Sequence, residues 1–245
     1  MINKVDFYTE EEVTNYVRLP GCLKSYINTS IDCDPKYLPM HFGEKYTSGA
    51  LRLSHTSIFT SSFFDDAECT SKLIKKACPN CKIITDVGSG AGCNTASFSR
   101  HFNKVNAVEY DSMEYQRLLN NIKSLKLKNI STIEGDYTNI CDTITQDVVF
   151  IDPHWGGAKY ELFDKLILCL SDLRVDEIAS YIINKNIARM VVLKTPGNVW
   201  MSSLKYPYKK VDIYRNMKPF YTLWFISNTK IPELETRIIL DKISV

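Results

Sequence analysis

The fold is decided by residues 82–92, which read KIITDVGSGAG. Lys82–Val87 is a strand-sized apolar run, three glycines follow it within five positions, and a helical pattern begins near Asn94 and ends near Phe102. A strand, a glycine-rich turn and a helix in this order are typical of ligand-binding α/β folds, because glycine lets the backbone turn tightly and approach a ligand closely. The spacing is GxGxG after an aspartate, which differs from the GxGxxG of dinucleotide-binding folds.

Strands and helices alternate through the rest of the chain. Further helices are predicted over 66–77, 112–125, 160–170 and 175–184, and six further strands over 105–109, 130–133, 147–151, 189–193, 210–214 and 221–227. This alternation predicts an α/β, Rossmann-like, doubly wound, mostly parallel seven-stranded sheet with an antiparallel edge. Residues 1–60 lack this rhythm and are expected to form a small, partly helical extension that contributes to the active site. The domain itself is predicted over 61–245.

Composition excludes several classes of protein. The 245 residues carry 30 Lys+Arg and 28 Asp+Glu, for a formal charge of +2, so neither wholesale disorder nor a uniformly basic nucleic-acid binder is expected. No stretch approaches the roughly 20 apolar residues of a membrane span. The first residues resemble neither a signal nor a transit peptide. We expect an intracellular protein that is a monomer, and the sequence does not distinguish nucleus from cytoplasm.

The eight cysteines are expected to be reduced thiols, because their spacing forms no disulfide framework. They are Cys22, Cys33, Cys69, Cys78, Cys81, Cys93, Cys141 and Cys169. Cys78 and Cys81 form a CxxC pair, which is compatible with half of a zinc site, a redox pair or a turn before a strand. We favour the turn and predict no metal site, because no second CxxC follows.

Hydrogen-bond acceptors follow three consecutive predicted strands. Asp86 precedes the glycine turn, Glu109 ends the second strand, and Asp136 follows the third. A carboxylate such as Glu109 can accept both hydroxyls of a ribose, and Asp136 is placed to meet an adenine amine. The sequence therefore predicts a pocket for an adenosine moiety. The glycine turn resembles that of class I S-adenosylmethionine-dependent methyltransferases; a turn that binds nothing is the alternative.

The predicted fourth strand is followed by residues 152–157, which read DPHWGG. The Asp152 carboxylate and the Pro153 carbonyl can together accept the two N–H bonds of an exocyclic amine, while the Trp155 ring can stack on the attached base. Holding the nitrogen in this way aligns its lone pair for in-line methyl transfer, which depends mostly on positioning. The alternative is that Trp155 is a core residue and Pro153 ends the strand.

This motif resembles the [S/D]PPWGG of the trimethylguanosine synthases, the RNA cap guanine-N2 methyltransferases. The resemblance extends over most of residues 60–230, through 86–92, 105–111, 135–136 and 191–198. Upstream, residues 49–53 and 58–61 look like a degraded form of the family's DGIxLD and WFSVTPE stretches, which help to close its cofactor site. His154 and Gly197 depart from the family, which has a second proline and an arginine at these places. His154 would put a titrating group near the site.

The resemblance implies transfer of a methyl group from S-adenosylmethionine to N2 of the 7-methylguanosine cap of RNA. Asp152, Pro153 and Trp155 would act at the reacting base, and Trp155 would stack on its positive charge. Asn198 would also contact the cap. The cofactor residues would be Phe59, Thr60, Asp86, Gly88, Ser89, Gly90, Gly92, Asn94, Glu109, Tyr110, Asp136, Tyr137 and Asp152.

Two other functions stay open on the sequence. One is methylation of another exocyclic amine, such as adenine N6 or an internal guanine N2, and the other is a cap-binding module without activity. The sequence also leaves open which capped RNAs are used and whether a second transfer gives the 2,2,7-trimethyl product.

The cap phosphates require cations. Residues 205–210, KYPYKK, are expected to rim the cleft, so Lys205 and Lys209 are predicted to contact the cap together with Arg52. Lys45 and Lys194 are the rival ligands, and a solvated edge loop is the alternative for 205–210. We expect capped RNA to be the partner and no membrane to be involved.

Overall fold

The computed structural model describes residues 17–19, 31–44 and 50–240, without the side chains of 17–19 and 157–159. Lys45 and Cys22 lie outside the described residues. The strands are β1 (Val17–Leu19), β2 (Ile83–Val87), β3 (Lys104–Glu109), β4 (Ile130–Glu134), β5 (Val148–Ile151), β6 (Leu166–Leu170), β7 (Leu173–Arg174), β8 (Met190–Thr195), β9 (Tyr208–Arg215), β10 (Lys218–Ile226) and β11 (Arg237–Leu240). The helices are α1 (Leu38–Phe42), α2 (Ser57–Thr60), α3 (Phe64–Ala77), α4 (Cys93–His101), α5 (Ser112–Ser124), α6 (Tyr137–Ile140) and α7 (Val175–Asn184).

The main sheet has the order β11-β9-β10-β8-β5-β2-β3-β4. The five strands from β8 to β4 are parallel, and β10 joins β8 antiparallel, so the predicted parallel sheet with an antiparallel edge is confirmed. The strand order reverses between β5 and β2, which is where ligands bind in doubly wound sheets.

The sheet has eight strands where the sequence predicted seven. The additional strand is β11, which pairs parallel with β9 at the edge. Its four residues alternate between exposed and half-buried positions. Such a short edge strand lacks the fully apolar run by which the central strands are recognised.

Two apolar clusters cover the two faces of the sheet. Phe150 and Val192 face the cluster that includes α3 and α4, whereas Val149 and Val191 face the cluster that includes α7. Because both faces are covered, the central strands consist of consecutive apolar residues, as buried parallel strands do.

The helix predicted over 160–170 is absent. The chain instead forms a 3₁₀ helix over Gly157–Leu162 and then the strand β6. β6 pairs parallel with β1 and antiparallel with β7 in a separate three-stranded sheet. A five-residue apolar run fits a buried strand as well as a buried helix, and here a partner from the beginning of the chain decides between them.

The extension packs against the glycine turn. Leu51, Leu53 and Ile58 share a buried cluster with Ala91 and Cys93. The Asn121 side chain on α5 joins the two parts, because its amide donates to the Arg52 carbonyl at 2.6 Å and to the Ala91 carbonyl at 2.8 Å.

Cys78 and Cys81 form a disulfide in the turn between α3 and β2. The expectation of eight reduced thiols is therefore wrong for this pair, and the turn is confirmed as the setting of the CxxC. Over the described ranges, no cluster of His, Cys, Asp and Glu side chains could hold a metal ion. Within those same ranges, none of the helices has the length and apolar character of a transmembrane span.

Candidate active site

The glycine turn and the residues after β5 meet at one cleft. β2 and β5 are adjacent parallel strands, so Gly88 and Asp152 follow them at the same edge of the sheet. A Cβ atom built on Gly88 would lie 4.0 Å from the Asp152 carbonyl oxygen. The two motifs that the sequence singled out therefore line one site.

The turn needs glycine for two different reasons. Gly90 has φ +54° and open space where a Cβ would stand, whereas Gly92 has φ +95° and would place a Cβ 2.8 Å from the Leu118 side chain. Gly92 thus permits α4 to pack against α5, and Gly90 leaves room above the turn. The Gly90 N–H donates to Glu109 Oε2 at 2.7 Å.

Gly92→Ala is expected to lower the free energy of unfolding by about 2–4 kcal/mol, because it combines left-handed strain with a steric overlap. Gly90→Ala is the matched control: it has strain of about 1–2 kcal/mol but no overlap. Urea denaturation measures both values. Equal losses for the two variants would contradict the packing role of Gly92.

Two buried carboxyl groups lie beneath the turn. The pKa of Asp86 is raised to about 7, mainly by burial and also by the neighbouring charges of Asp152 and Glu109, against a hydrogen bond from Thr95. Burial likewise raises the pKa of Glu109 to about 7, although its oxygens accept the N–H groups of Gly90 and Asp111. These backbone donors fix the Glu109 carboxyl at the end of β3.

Asp136 and Tyr137 follow β4 at the next position in the sheet. Asp136 caps α6: its carboxylate accepts the Thr138 N–H at 2.9 Å and the Ser171 hydroxyl at 2.7 Å. The Tyr137 ring is buried in the core, and its hydroxyl donates to Gln146 at 3.2 Å. The Tyr137 side chain is thus a packing residue, which a local sequence pattern does not reveal.

The other predicted cofactor residues surround the turn. Ser89 is buried and its hydroxyl bonds to the Asp86 carbonyl at 2.9 Å. Asn94 has a buried Oδ1 that lacks a hydrogen-bond partner among the described residues. Phe59 on α2 is 80% exposed and Tyr110 after β3 is 53% exposed. Thr60 is also exposed.

Asp152 is paired with a buried lysine. Lys194, in β8, donates from Nζ to Asp152 Oδ2 and to Ser62 Oγ, both at 2.7 Å. The sequence suggested Lys194 as a phosphate ligand, but its side chain is 7% exposed and its ammonium is held by these two partners. Ser62 was missed altogether.

Trp155 stands beside this pair and is half-buried. Its ring meets the Tyr160 ring edge-on at 5.5 Å, and Lys194 Nζ lies 5.7 Å from its centroid. Its Nε1 is buried and has no hydrogen-bond partner within the described ranges. Burial lowers the pKa of the neighbouring His154, against the charge of Asp152.

Asn198 orders the chain that follows the motif. Its amide donates to the carbonyls of Tyr160 at 3.0 Å and Phe163 at 2.7 Å. Asn198, which the sequence predicted to contact the cap, therefore also holds the 3₁₀ helix against the loop after β8.

The 205–210 segment does not rim the cleft, so that prediction is wrong. The cleft end of β8 is Thr195, which pairs with the early part of β10, whereas Ile226 pairs with Val191 and with Tyr208, the first residue of β9. β9 therefore begins at the far end of the sheet. Lys209, close to that end, makes an ion pair with Glu233 at 2.7 Å.

The loop that leads to this segment runs along α7. The Lys205 N–H donates to Ser180 at 3.3 Å, and the Tyr206 hydroxyl donates to Asn184, the last residue of the helix. Lys205 thus lies beside the middle of α7 and not at the cleft. Arg52, the third predicted cation, is on the extension and pairs with Asp32 at 2.8 Å.

Residues 81–229 match the family model of the RNA cap guanine-N2 methyltransferases. The match covers more than half of the 245 residues. The chain belongs to this family. The family assignment agrees with the resemblance carried by residues 152–157.

The other similarities are more distant. The chain is 34% identical over 139 residues to an uncharacterized protein of Acanthamoeba polyphaga mimivirus, and the match covers 54% of each. The chain thus spans about half the length of this curated relative. A crystal structure from Porphyromonas gingivalis, named as that of a methyltransferase, is similar with a TM-score of 0.62, 13% identity, and coverage of 81% of this chain and 49% of that one. This last similarity supports the fold alone.

Proposed function

We propose that this protein transfers a methyl group from S-adenosylmethionine to the exocyclic N2 of the 7-methylguanosine cap of RNA, giving at least the 2,7-dimethyl product. The observation that carries the proposal is the adjacency of the two motifs, because the Asp152 carbonyl oxygen would lie 4.0 Å from a Cβ on Gly88. A donor held over the turn and an acceptor amine held by Asp152 would therefore be neighbours.

The residues around the turn suit an adenosine-bearing donor. Open space lies above Gly90, and the Glu109 carboxyl is fixed beside it by two N–H groups. Glu109 would accept the ribose hydroxyls, and the exposed ring of Phe59 would cover the pocket from the extension. When bound, S-adenosylmethionine supplies a methyl group that needs no acid to activate it, since the leaving sulfur is a neutral thioether.

The residues after β5 would hold the acceptor. Asp152 Oδ2 is engaged by Lys194, which leaves Oδ1 to accept one N2–H bond while the Pro153 carbonyl accepts the other. Trp155 would stack on the base, whose positive charge at N7 favours an indole ring. Positioning of this kind accounts for most of the rate enhancement expected when the methyl donor is already activated.

Cofactor binding is expected to weaken in acid. Burial raises the pKa of Glu109 to about 7, so this group becomes protonated as pH falls through 7 and then accepts ribose hydroxyls poorly. Isothermal titration calorimetry should show the Kd for S-adenosylmethionine rising about tenfold from pH 8 to pH 6. Glu109→Gln should flatten this dependence. A slope unchanged in the variant would assign the titration to another group, such as Asp86.

The cap assignment is tested by comparing m7GTP with GTP as acceptors. Radiolabelled methyl transfer should be at least about tenfold more efficient with m7GTP, because only that base carries the charge that Trp155 recognises. Equal transfer to both would favour another guanine or adenine amine as the substrate. Binding of m7GTP without any binding of S-adenosylmethionine would indicate a cap-binding module instead. Mass spectrometry of the exhausted reaction would count the methyl groups added.

A further inference from the structure

Lys194 is a feature of the cleft that neither motif explains. It follows four apolar residues in β8 and precedes Thr195, the last residue of the strand, and all six residues are buried. A buried ammonium is unfavourable unless it is paired and hydrogen-bonded. The bond from Lys194 to the Asp152 carboxylate, which follows β5, offsets the unfavourable burial of the ammonium.

The contacts of Lys194 are directional. Two of its N–H bonds go to Asp152 and Ser62 at 2.7 Å, and the rest of the ammonium faces the rings of Tyr221 at 5.0 Å and Trp155 at 5.7 Å. Its side chain is 7% exposed, so it is poorly placed to hold a phosphate. Among the described residues, Asp152 Oδ1 has no protein donor, so the lysine occupies one oxygen and leaves the other open.

The negative charges of Asp86 and Asp152 repel each other. Asp86 lies on β2 next to Asp152, and its charge acts on that of Asp152. Lys194 offsets this repulsion, since its charge stabilises the ionised forms of Asp66 and Asp86 as well. The other titratable or charged groups that face the pair are Arg215 on β9, Tyr221 on β10, Glu109 on β3, Cys93 on α4 and His154 after β5.

We propose that Lys194 is a positioning residue for methyl transfer, which holds one oxygen of the Asp152 carboxyl and turns the other toward the acceptor amine. The inference rests on the proposed function, in which Asp152 receives that amine. Lys194 itself touches no substrate. Its effect is exerted through the orientation of the Asp152 carboxyl.

The test is Lys194→Met, which removes the charge and keeps the length of the side chain. The kcat for m7GTP should fall about 10- to 100-fold, the range expected when a reacting group is misplaced by about 1 Å, while KM changes less than about threefold. Lys194→Arg keeps a cationic donor beside Asp152 and should recover most of the lost kcat.

Arg174→Met is the matched control. Arg174 and Asp176 form another ion pair at 2.7 Å, which is more deeply buried than the Lys194–Asp152 pair, at the start of α7. Its loss should lower stability but change kcat less than about threefold. An equal loss of kcat in both variants, with no recovery in Lys194→Arg, would show that Lys194 has only a structural role.

A readout independent of turnover separates this inference from the cap assignment. In carbon-13 spectra of aspartate-labelled protein, Lys194→Met should move the Asp152 carboxyl signal, because the ammonium bonded to that carboxyl is removed, with Asp152→Asn providing the assignment. An unmoved signal together with an unchanged kcat would overturn the role of Lys194. A moved signal in a protein that does not methylate m7GTP would overturn the cap assignment alone.

Discussion

Asp152→Ala is expected to lower the kcat for methyl transfer to m7GTP by about 100-fold or more, while the KM for m7GTP changes less than about threefold. The carboxylate would orient the acceptor nitrogen, an interaction needed for reaction more than for binding, since most of the affinity would come from stacking on Trp155. Steady-state kinetics with purified variants measure both constants. A KM that rises while kcat holds would make Asp152 a binding residue.

The same variant leaves the Lys194 ammonium buried without its partner, which should destabilise the fold by about 3–5 kcal/mol. The double variant Asp152→Ala, Lys194→Met removes the unpaired charge and should recover part of this loss. Its turnover should stay low, because the acceptor for the amine is still missing. If restoring stability also restored turnover, the defect of the single variant would be one of folding.

Trp155→Ala is expected to weaken m7GTP binding about 10- to 100-fold, because stacking of a base on an aromatic ring contributes about 1–3 kcal/mol. The Kd for S-adenosylmethionine should change less than about threefold, since the predicted cofactor contacts lie around the glycine turn. Calorimetry with each ligand separates the two effects. Trp155→Phe keeps an aromatic face and should give an intermediate loss for m7GTP.

The preference for m7GTP over GTP tests the stacking role of Trp155 more directly than the affinity for m7GTP alone. It should shrink in Trp155→Ala, because the positive charge at N7 no longer meets an indole face. Trp155 also packs against both core clusters, so its removal has a structural component. An equal loss of affinity for both nucleotides and for the cofactor would assign the residue to the core.

The sequence predicted the central part of the fold well because its strands are covered on both faces. Such strands are apolar throughout and stand between glycine and polar turns, so β2, β5 and β8 were located within one or two residues. The wrong predictions concern segments whose structure depends on the strand with which they pair. β6 is apolar enough for either state and is a strand because β1 pairs with it, and β11 is a short edge strand with a weak pattern.

The candidate site likewise contains some residues that could be placed from the sequence and others that could not. Residues directly after a strand, such as Gly88 and Asp152, could be placed from the sequence, because parallel strands end at one edge of the sheet. The partnership of Lys194 with Asp152 depends on β8 lying beside β5. The error over 205–210 arose from the path of the loop along α7, which only the contacts of Lys205 and its neighbours reveal.

Ser62, two residues after the extension ends, is connected to the Asp152 carboxylate through Lys194. It stands between α2 and α3, and it supplies one of the two polar partners of Lys194. Any displacement of residues 57–62 that breaks this bond weakens the hold of Lys194 on Asp152. By thermodynamic reciprocity, whatever stabilises the Asp152–Lys194 pair also favours the observed position of Ser62 between α2 and α3. Under the proposed function, the covering of the cofactor pocket by α2 and the alignment of the acceptor would therefore be coupled equilibria.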